Sequence, residues 1–426
     1  MNMHKFESIS LVVLDGVGVG PAHDTADLYP EDIGSNSLRN ASAEGEPLDS
    51  YALQSMGVSQ IPGMEGLRVQ REISSNRIHG AFGALEPTFA GNGSPEGHQS
   101  LAGLVTVDPY DVFNKTGIPD ALVSDIENVV ANLIKRQVQV VRYPGTDDIN
   151  GIKFISHPDI GAAHLASKDP TSGPLKLPVY ASSDSLVQLA IHQGVLPQEM
   201  IEAIGKAVRE SLDDKNRRVA RVIMRPFIGE PGSFTRVSGD RRDYAMNPDG
   251  PTLIDYLTEA GVPVFGIGKT ASLFNGQGFP EGSVAKLHND DERAKATLDR
   301  ILDGKHGLTF TNLVATDELH GHTRQAREYM QHINRMGSII DDMLACMGEN
   351  QLLIITSDHG NDPTQTKHTN HTRERAPLLV ASGRIKRPIE LGVRGSYADV
   401  AATIAENFGI QNKLAVGQSF LRELTG

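Results

Sequence analysis

The chain has 426 residues, enough for roughly two or three domains, and its 39% hydrophobic and 22% charged residues exclude a disordered or fibrous protein. A formal net charge of −13 argues against a nucleic-acid backbone or an anionic membrane as the main partner. We find no signal-peptide pattern and no apolar run near the roughly 20 residues that span a bilayer. Cys346 is the single cysteine, which suits a reducing compartment, and we expect a cytoplasmic protein.

Short apolar runs alternate with helical periodicity along the chain. This pattern predicts an α/β fold with a mainly parallel sheet flanked by helices. The predicted buried strands lie at 9–14, 262–267, 308–314, 352–356 and 377–380. Four of them end beside polar clusters that contain Asp15, Lys269, Asp317 and Asp358. Because ligands of open α/β sheets bind beyond the carboxyl ends of the strands, we expect one composite site.

The pattern of apolar and polar residues changes between about 107 and 235. A helical pattern follows Pro119, further amphipathic stretches lie at 184–193 and 198–213, and "VQVV" and "ARVIM" are strand candidates. We predict a smaller α/β domain inserted at 107–235. The larger domain is then discontinuous and consists of 1–106 and 236–426.

Two N-terminal motifs carry candidate functional residues. In "LVVLDGVGVG", Asp15 ends the first predicted strand, and the glycines after it allow tight backbone geometry near a ligand. In "GNGSPEGH", Ser94 stands among glycines that we expect to leave space around it. A serine is a weak nucleophile unless its proton is removed or its oxygen is bound to a metal.

Two C-terminal motifs carry candidate metal ligands. In "TNLVATDELHGHTR", Asp317 follows a strand, and either His320 or His322 is close enough to reach the same ion. In "LLIITSDHGNDPTQTKHTNHTRE", a buried strand runs into five candidates: Asp358, His359, Asp362, His368 and His371. Oxygen and imidazole ligands at a strand end suit a divalent cation such as Mn²⁺ or Zn²⁺.

Together these motifs resemble the alkaline phosphatase superfamily, and more closely the phosphopentomutase and cofactor-independent phosphoglycerate mutase families. The resemblance covers nearly the whole chain. It includes "GSNSLRN", "YASSDSLVQLAIH", "VARVIMRPFIGEPGSFTR", "DRRDYAMNPDGPT", "GIGKTASLF" and "ADVAATIAENFG". These long matches, in this order, are typical of phosphopentomutases.

The resemblance implies two Mn²⁺ ions, with Zn²⁺ or Mg²⁺ as alternatives. It assigns one ion to Asp15, Asp358, His359 and the nucleophile Ser94, and the other to Asp317, His322 and His371. It favours His322 over His320 through the D-x-x-x-G-H motif, and His371 over His368 because His371 opens "HTRE". The segment around Ser94 is closer to the G-N-S-E-V-G-H of the phosphoglycerate mutases than to the G-K-D-T-x-T-G-H-W-E of the phosphopentomutases.

The resemblance also implies a phosphorylated substrate bound by residues at matching positions, which are Asp184, Arg221, Arg225, Arg241 and Lys269. The family's A-S-G-T-E stretch is missing, and "RYPGTDDINGI" stands near its place. Guanidinium groups suit bidentate recognition of phosphate. The inserted domain would close over the site as a cap and keep water from a phosphoenzyme.

We therefore expect an isomerase of the phosphopentomutase type. It would move phosphate between C1 and C5 of ribose or deoxyribose phosphate through a phosphoserine enzyme and a sugar bisphosphate, which also serves as primer. The alternatives are a mutase for another sugar phosphate, a metal-dependent phosphatase or phosphodiesterase on the same scaffold, and a catalytically silent metal-binding protein. The sequence leaves the oligomeric state open.

Overall fold

The computed structural model describes residues 6–113, 117–142, 155–156, 158–181 and 185–425. The chain divides into two compact units. The first unit combines Met1–Asp108 with Pro248–Gly426, and the second is Pro109–Asn247. No helix in the described ranges is long and apolar enough to cross a membrane.

An eight-stranded sheet forms the centre of the first unit. Its strands, in spatial order, are β10 (Val284–Ala285), β9 (Val264–Ile267), β11 (Gly307–Leu313), β1 (Ser8–Leu14), β12 (Gln351–Thr356), β13 (Ala376–Ala381), β2 (Ala81–Leu85) and β14 (Ile389–Arg394). Only β13 is antiparallel to its neighbours among these strands. The α/β class with a mainly parallel sheet is therefore confirmed.

Strand β1 illustrates why this sheet is central. All seven of its residues are buried, and alternate side chains join two different hydrophobic cores. Leu11 and Val13 belong to one core, whereas Val12 and Leu14 belong to the other. A strand covered on both faces reads as a continuous apolar run, which is why the sequence predicts it well.

Helices cover both faces of this sheet. Those of the first unit are α1 (Thr25–Leu28), α2 (Ser37–Glu44), α3 (Tyr51–Ser55), α4 (Ser94–Leu101), α8 (Leu253–Glu259), α9 (Thr270–Leu273), α10 (Asp290–Leu302), α11 (Ala326–Cys346), α12 (Ala398–Phe408) and α13 (Leu421–Thr425). The longest, α11, buries a stripe that includes Tyr329, Met336 and Met343. This stripe packs in the core, as expected for an amphipathic helix.

The second unit has its own sheet. Its strands are β3 (Val138–Arg142), β4 (Leu175–Tyr180), β5 (Leu186–His192), β6 (Arg221–Ile228) and β7 (Thr235–Arg236), in that spatial order, with β8 (Arg242–Ala245) also paired to β6. The α-helices in its described ranges include α5 (Asp120–Ile134), α6 (Ala163–Ala166) and α7 (Gln198–Asp214). Apolar faces of α5 and α7 pack in one core with β4, β5 and β6.

Two features of the second unit differ from the sequence prediction. The described part of the amphipathic stretch 184–193 forms the central strand β5, because its run of apolar residues is buried between β4 and β6. The unit also continues past 235 to Asn247. The reason is that β8, which begins at Arg242, pairs antiparallel with β6.

Candidate active site

The carboxyl ends of the parallel strands bring the candidate ligands to one edge of the first sheet. Asp15 directly follows β1, Asp358 and His359 follow β12, and Asp317 lies in the helical turn Thr316–Gly321 after β11. Because β13 runs antiparallel, the segment before it, with His371, reaches the same edge. The ligand atoms fall into two groups, within each of which all atoms lie within 4.8 Å of one another.

The first group consists of Asp15, Asp358 and His359, and all three are buried. His359 Nε2 lies 3.5 Å from Asp15 Oδ1 and 3.3 Å from Asp358 Oδ2. These two carboxylate oxygens are buried and receive no hydrogen bond from any residue that the structure describes. Buried polar atoms are normally satisfied, so an orphaned pair of carboxylate oxygens beside an imidazole nitrogen fits a bound cation.

Ser94 lies at the edge of the first group. It is the first residue of α4, and its Oγ is 3.0 Å from His359 Nε2. His98, one helical turn later, donates from Nδ1 to the Ser94 carbonyl at 2.9 Å. The ring of His98 is buried, and its Nδ1 also lies 3.2 Å from Asp358 Oδ2. The four-residue spacing therefore places Ser94 beside His359 and His98 beside Asp358, two consecutive residues at the end of β12.

The glycines around Ser94 also make room for groups that the sequence did not indicate. A Cβ at Gly91 or Gly93 would collide with the carboxylate of the buried Glu96, at 2.5 and 2.6 Å. A Cβ at Gly97 would collide with the backbone of Asp358. These glycines thus make room for Glu96 and for the close approach of α4 to the end of β12.

The second group consists of Asp317, His322 and His371. The Nε2 atoms of both histidines lie 3.4 Å from the Asp317 carboxylate and 3.1 Å from each other. Burial alone would raise the pKa of Asp317, but the two histidines outweigh it and hold that pKa well below its ordinary value. One carboxylate and two imidazoles form a set of ligands that suits Mn²⁺ or Zn²⁺.

Backbone carbonyls orient all three histidines in the two groups. The Nδ1 atoms of His322, His359 and His371 lie 2.7 Å from Thr369 O, 3.2 Å from Gly360 O and 2.7 Å from Asn92 O. A neutral ring that donates from Nδ1 presents its Nε2 lone pair to the site, which is the usual arrangement of metal-binding histidines. Burial lowers the pKa of His359 to about 4, so this ring is neutral near pH 7.

The two groups are adjacent. The rings of His359 and His371 stack with their centroids 3.7 Å apart and their planes at 17°. Burial raises the pKa of Asp15 well above its ordinary value, and the negative charges of Asp358 and Asp317 raise it further. Two adjacent cations would remove this repulsion between carboxylates.

Three other candidates from the same motifs lie outside the two groups. His368 Nε2 is 2.7 Å from Asp32 Oδ1, and the ring of His320 lies beside His332. Asp362 accepts hydrogen bonds from the backbone of Asn36 and from the side chain of Asn40. Asp362 therefore fixes the loop, whereas His322 and His371 point to Asp317.

The predicted substrate residues are distributed over both units. Lys269 follows β9 in the first unit and pairs with Glu318 at 2.9 Å. Arg221 and Arg225 lie on β6 of the second unit, where Arg225 Nε donates to Gln188 Oε1 at 2.8 Å. Arg241 forms a bidentate pair with Asp243. Asp184 lies outside the described residues.

Three polar residues that the sequence argument did not single out support the site. Asn312 Nδ2 donates to Asp15 Oδ2 at 2.9 Å and lies 3.0 Å from His98 Nε2. Asn361 Nδ2 donates to Asp317 Oδ1 at 2.6 Å, and Arg373 binds carbonyls near Ser94. An asparagine inside the apolar strand β11 is the one sequence feature that could have revealed Asn312, because buried amides need partners.

Comparisons with known proteins show which proteins this chain resembles. The sequence model of the metalloenzyme superfamily matches residues 252–412. A phosphopentomutase from Caldanaerobacter subterraneus subsp. tengcongensis is 34% identical over 424 residues, which cover 98% of each chain. One from Acetivibrio thermocellus is 34% identical over 411 residues, covering 96% of this chain and 98% of its own. Among solved structures, a phosphoglycerate mutase from Leishmania mexicana is 12% identical with a TM-score of 0.45, covering 96% of each chain.

Proposed function

The chain belongs to the phosphopentomutase family, and we propose that it transfers a phosphoryl group between C1 and C5 of ribose or deoxyribose phosphate. The observation that carries this proposal is the position of Ser94, whose Oγ lies 3.0 Å from His359 Nε2 beside a buried group of ligands. The proposal includes a cytoplasmic location, because phosphorylated sugars are charged and are retained inside cells.

Two divalent cations, Mn²⁺ in our proposal and Zn²⁺ or Mg²⁺ as alternatives, fit the two groups of ligands. Asp15, Asp358, His359 and Ser94 Oγ would hold one, and Asp317, His322 and His371 the other. The buried, unsatisfied oxygens of Asp15 and Asp358 support the first site. Bound cations would lower the pKa of the serine hydroxyl, orient the phosphoryl group and offset the charge on its equatorial oxygens.

Ser94 is the proposed nucleophile. As the first residue of α4 it places its side chain at the N-terminal end of the helix, where backbone N–H groups and the helix dipole favour an anion such as a phosphoryl group. His98 and Gly97 fix this end of the helix against Asp358. A phosphoryl group on Ser94 would therefore be held without rearrangement of the backbone.

The reaction consists of two transfers in opposite directions. In the first, the bond between phosphorus and Ser94 Oγ breaks, phosphorus bonds to the free sugar hydroxyl oxygen, and the proton of that hydroxyl passes to Ser94 Oγ. The product is a sugar bisphosphate. After this intermediate reorients, Ser94 Oγ attacks its other phosphorus atom, the bond from that phosphorus to the sugar oxygen breaks, and the serine proton passes to the sugar oxygen, which gives the isomeric monophosphate and regenerates the phosphoenzyme. A sugar bisphosphate added from solution would prime an unphosphorylated enzyme in the same way.

Basic residues would bind the second phosphate of the substrate. The candidates are Arg221, Arg225, Arg241 and Lys269, together with Asp184 for the sugar hydroxyls. Burial lowers the pKa of Arg225, and the nearby Arg241 lowers it further. Two guanidinium groups that repel each other would be stabilised by a phosphate between them.

The proposal is tested by incubating the enzyme with Mn²⁺, ribose 1-phosphate and a trace of ribose 1,5-bisphosphate, and following the reaction by ³¹P NMR. We expect ribose 5-phosphate to form with little free phosphate. Stoichiometric free phosphate without ribose 5-phosphate would identify a phosphatase instead. A parallel series of other sugar 1-phosphates tests whether the enzyme acts on a different sugar.

A further inference from the structure

Arg373 has an unusual position for a charged side chain. It is 2% exposed, and every nitrogen of its guanidinium group donates a hydrogen bond. Nε and Nη2 form a fork with the Asp24 carboxylate at 3.0 and 2.8 Å. The guanidinium carbon also lies 5.2 Å from the ring centre of Phe89. A buried charge is tolerated only with such complete pairing.

Apart from Asp24, the described residues that accept hydrogen bonds from the Arg373 guanidinium group belong to the chain that leads from β2 to Ser94. This 86–93 loop contains one proline and two glycines, and it has little regular structure of its own. Nη2 donates to Pro87 O at 2.8 Å and to Phe89 O at 3.0 Å, and Nη1 donates to Gly91 O at 2.7 Å. One side chain therefore binds three alternate carbonyls of the loop.

The same short segment also carries a candidate metal ligand. His371 lies two residues before Arg373. Its Nδ1 is 2.7 Å from the backbone oxygen of Asn92, which is two residues before Ser94. The 86–93 loop is thus held at four carbonyls by two side chains of one segment. The N–H groups of Glu86 and Ala90 also donate to Arg394 O and Thr106 O, but the two side chains of this segment hold the part of the loop that leads directly to Ser94.

We propose that Arg373 is a positioning residue that fixes Ser94 for phosphoryl transfer by holding the 86–93 loop, a role that rests on the proposed function. Its planar fork is essential, because the five hydrogen bonds go in different directions. A lysine keeps the charge but provides a single point of donation. A misplacement of a reacting group by about 1 Å can reduce a rate by about 100-fold.

The experiment compares Arg373→Lys with the wild type in metal content, kcat and KM, each measured well below the unfolding temperature. We expect wild-type metal content, KM within about threefold, and kcat lower by about 100-fold. Arg209→Lys is the matched control. Arg209 is also buried and pairs with a carbonyl and an aspartate, but it lies on α7 in the second unit, so kcat should stay within about threefold of wild type.

Asp24→Asn is the second variant, because it disturbs the fork while Arg373 stays in place. We expect the same pattern with a smaller decrease in kcat, about tenfold, and this variant decides the question if Arg373→Lys does not fold. A wild-type kcat in the folded variants would overturn the proposal. A decrease in kcat that is matched by an equal loss of bound metal would also overturn it. If the wild-type enzyme releases phosphate without isomerising the substrate, the proposed function alone is overturned. The ratio of variant kcat to wild-type kcat can then be measured for phosphate release instead, and it still tests the role of Arg373.

Discussion

Two buried histidines, His359 in the first unit and His164 in the second, show how the structure distinguishes a proposed metal ligand from a ring that is bonded only within the fold. Both rings are almost fully buried, and burial lowers the pKa of each to about 4. Both also have Nδ1 beside a backbone carbonyl, of Gly360 and Lys176 respectively. Burial and pKa therefore do not distinguish them.

The second ring nitrogen makes the difference. His164 Nε2 accepts the backbone N–H of His192 at 3.0 Å, so both nitrogens of this ring are used within the fold. His359 Nε2 instead faces Ser94 Oγ and the unsatisfied oxygens of Asp15 and Asp358. In this comparison, the shifted pKa indicates a functional site only for the ring that faces buried polar atoms without hydrogen-bond partners.

The largest effect is expected at the hydroxyl beside His359. Ser94→Ala removes the proposed nucleophile and should lower kcat on the order of 10⁴-fold or more, with both metal ions retained. Ser100→Ala is the control, because Ser100 is a buried serine on the same helix whose Oγ has no partner among the described residues. Steady-state kinetics and metal analysis measure both. Residual isomerisation near the wild-type rate in Ser94→Ala would exclude Ser94 as nucleophile.

Replacing the two histidines themselves tests the comparison directly. His359→Gln should lose one of two bound metal ions and reduce kcat by at least about 100-fold, because a ligand of the first group is gone. His164→Gln should keep both ions and most of the activity. Metal analysis of the purified variants, together with kcat, decides this. Full metal occupancy in His359→Gln would refute the assignment of the first site, and Asp358→Ala should behave as His359→Gln does.

Removal of metal by a chelator should affect the two units differently. A ligand at 100 times its Kd stabilises the folded state by about 2.7 kcal/mol, so chelation should lower the free energy of unfolding by about this amount per site. Amide hydrogen exchange should accelerate around Ser94, Asp358 and Asp317, while β5 and the segment around His164 stay protected. Equal acceleration in both units would contradict the placement of the metal sites.

The smallest effect on activity is expected at His164, which instead contributes to the pH dependence of stability. Its folded pKa of about 4 lies below the ordinary value of about 6.5, so the unfolded chain binds a proton in this range and the folded chain does not. Stability is therefore complete above pH about 6.5 and falls as the pH is lowered towards 4, by up to about 1.4 kcal/mol per pH unit.

Urea unfolding between pH 7 and 4.5 measures this contribution. His164→Gln should show a slope smaller by up to one proton than that of the wild type. An unchanged slope in His164→Gln would show that this ring is not neutral in the folded state.

The sequence predicted the parts of the molecule in which one segment determines its own structure. Strands such as β1 and β12 are buried on both faces, so their apolar runs identify them, and the polar residue after each strand follows directly. The prediction was wrong for 184–193, because a buried central strand and an amphipathic helix have similar compositions over a few residues. The sequence prediction also ended the second unit at 235, before β8. Strand β8 belongs to this unit because it pairs with β6.

The supporting residues could not be predicted because their partners are far away in the sequence. Arg373 binds Asp24, 349 residues earlier, and Asn312 binds Asp15, 297 residues earlier. In "HTRE", the arginine has no local feature that separates it from a surface charge. The residues alone leave the choice between His320 and His322 open, because it depends on the direction of a helical turn, and only the family resemblance favoured His322.

The central claim is that the transferred phosphoryl group passes through Ser94. The most direct test is to incubate the Mn²⁺ enzyme briefly with [³²P]ribose 1-phosphate and a trace of bisphosphate, quench with acid, and map the label on peptides by mass spectrometry. Our account predicts labelled phosphoserine at position 94, and no labelled peptide in Ser94→Ala. Isomerisation by the wild type with the label on another residue, or with no labelled residue, would contradict it.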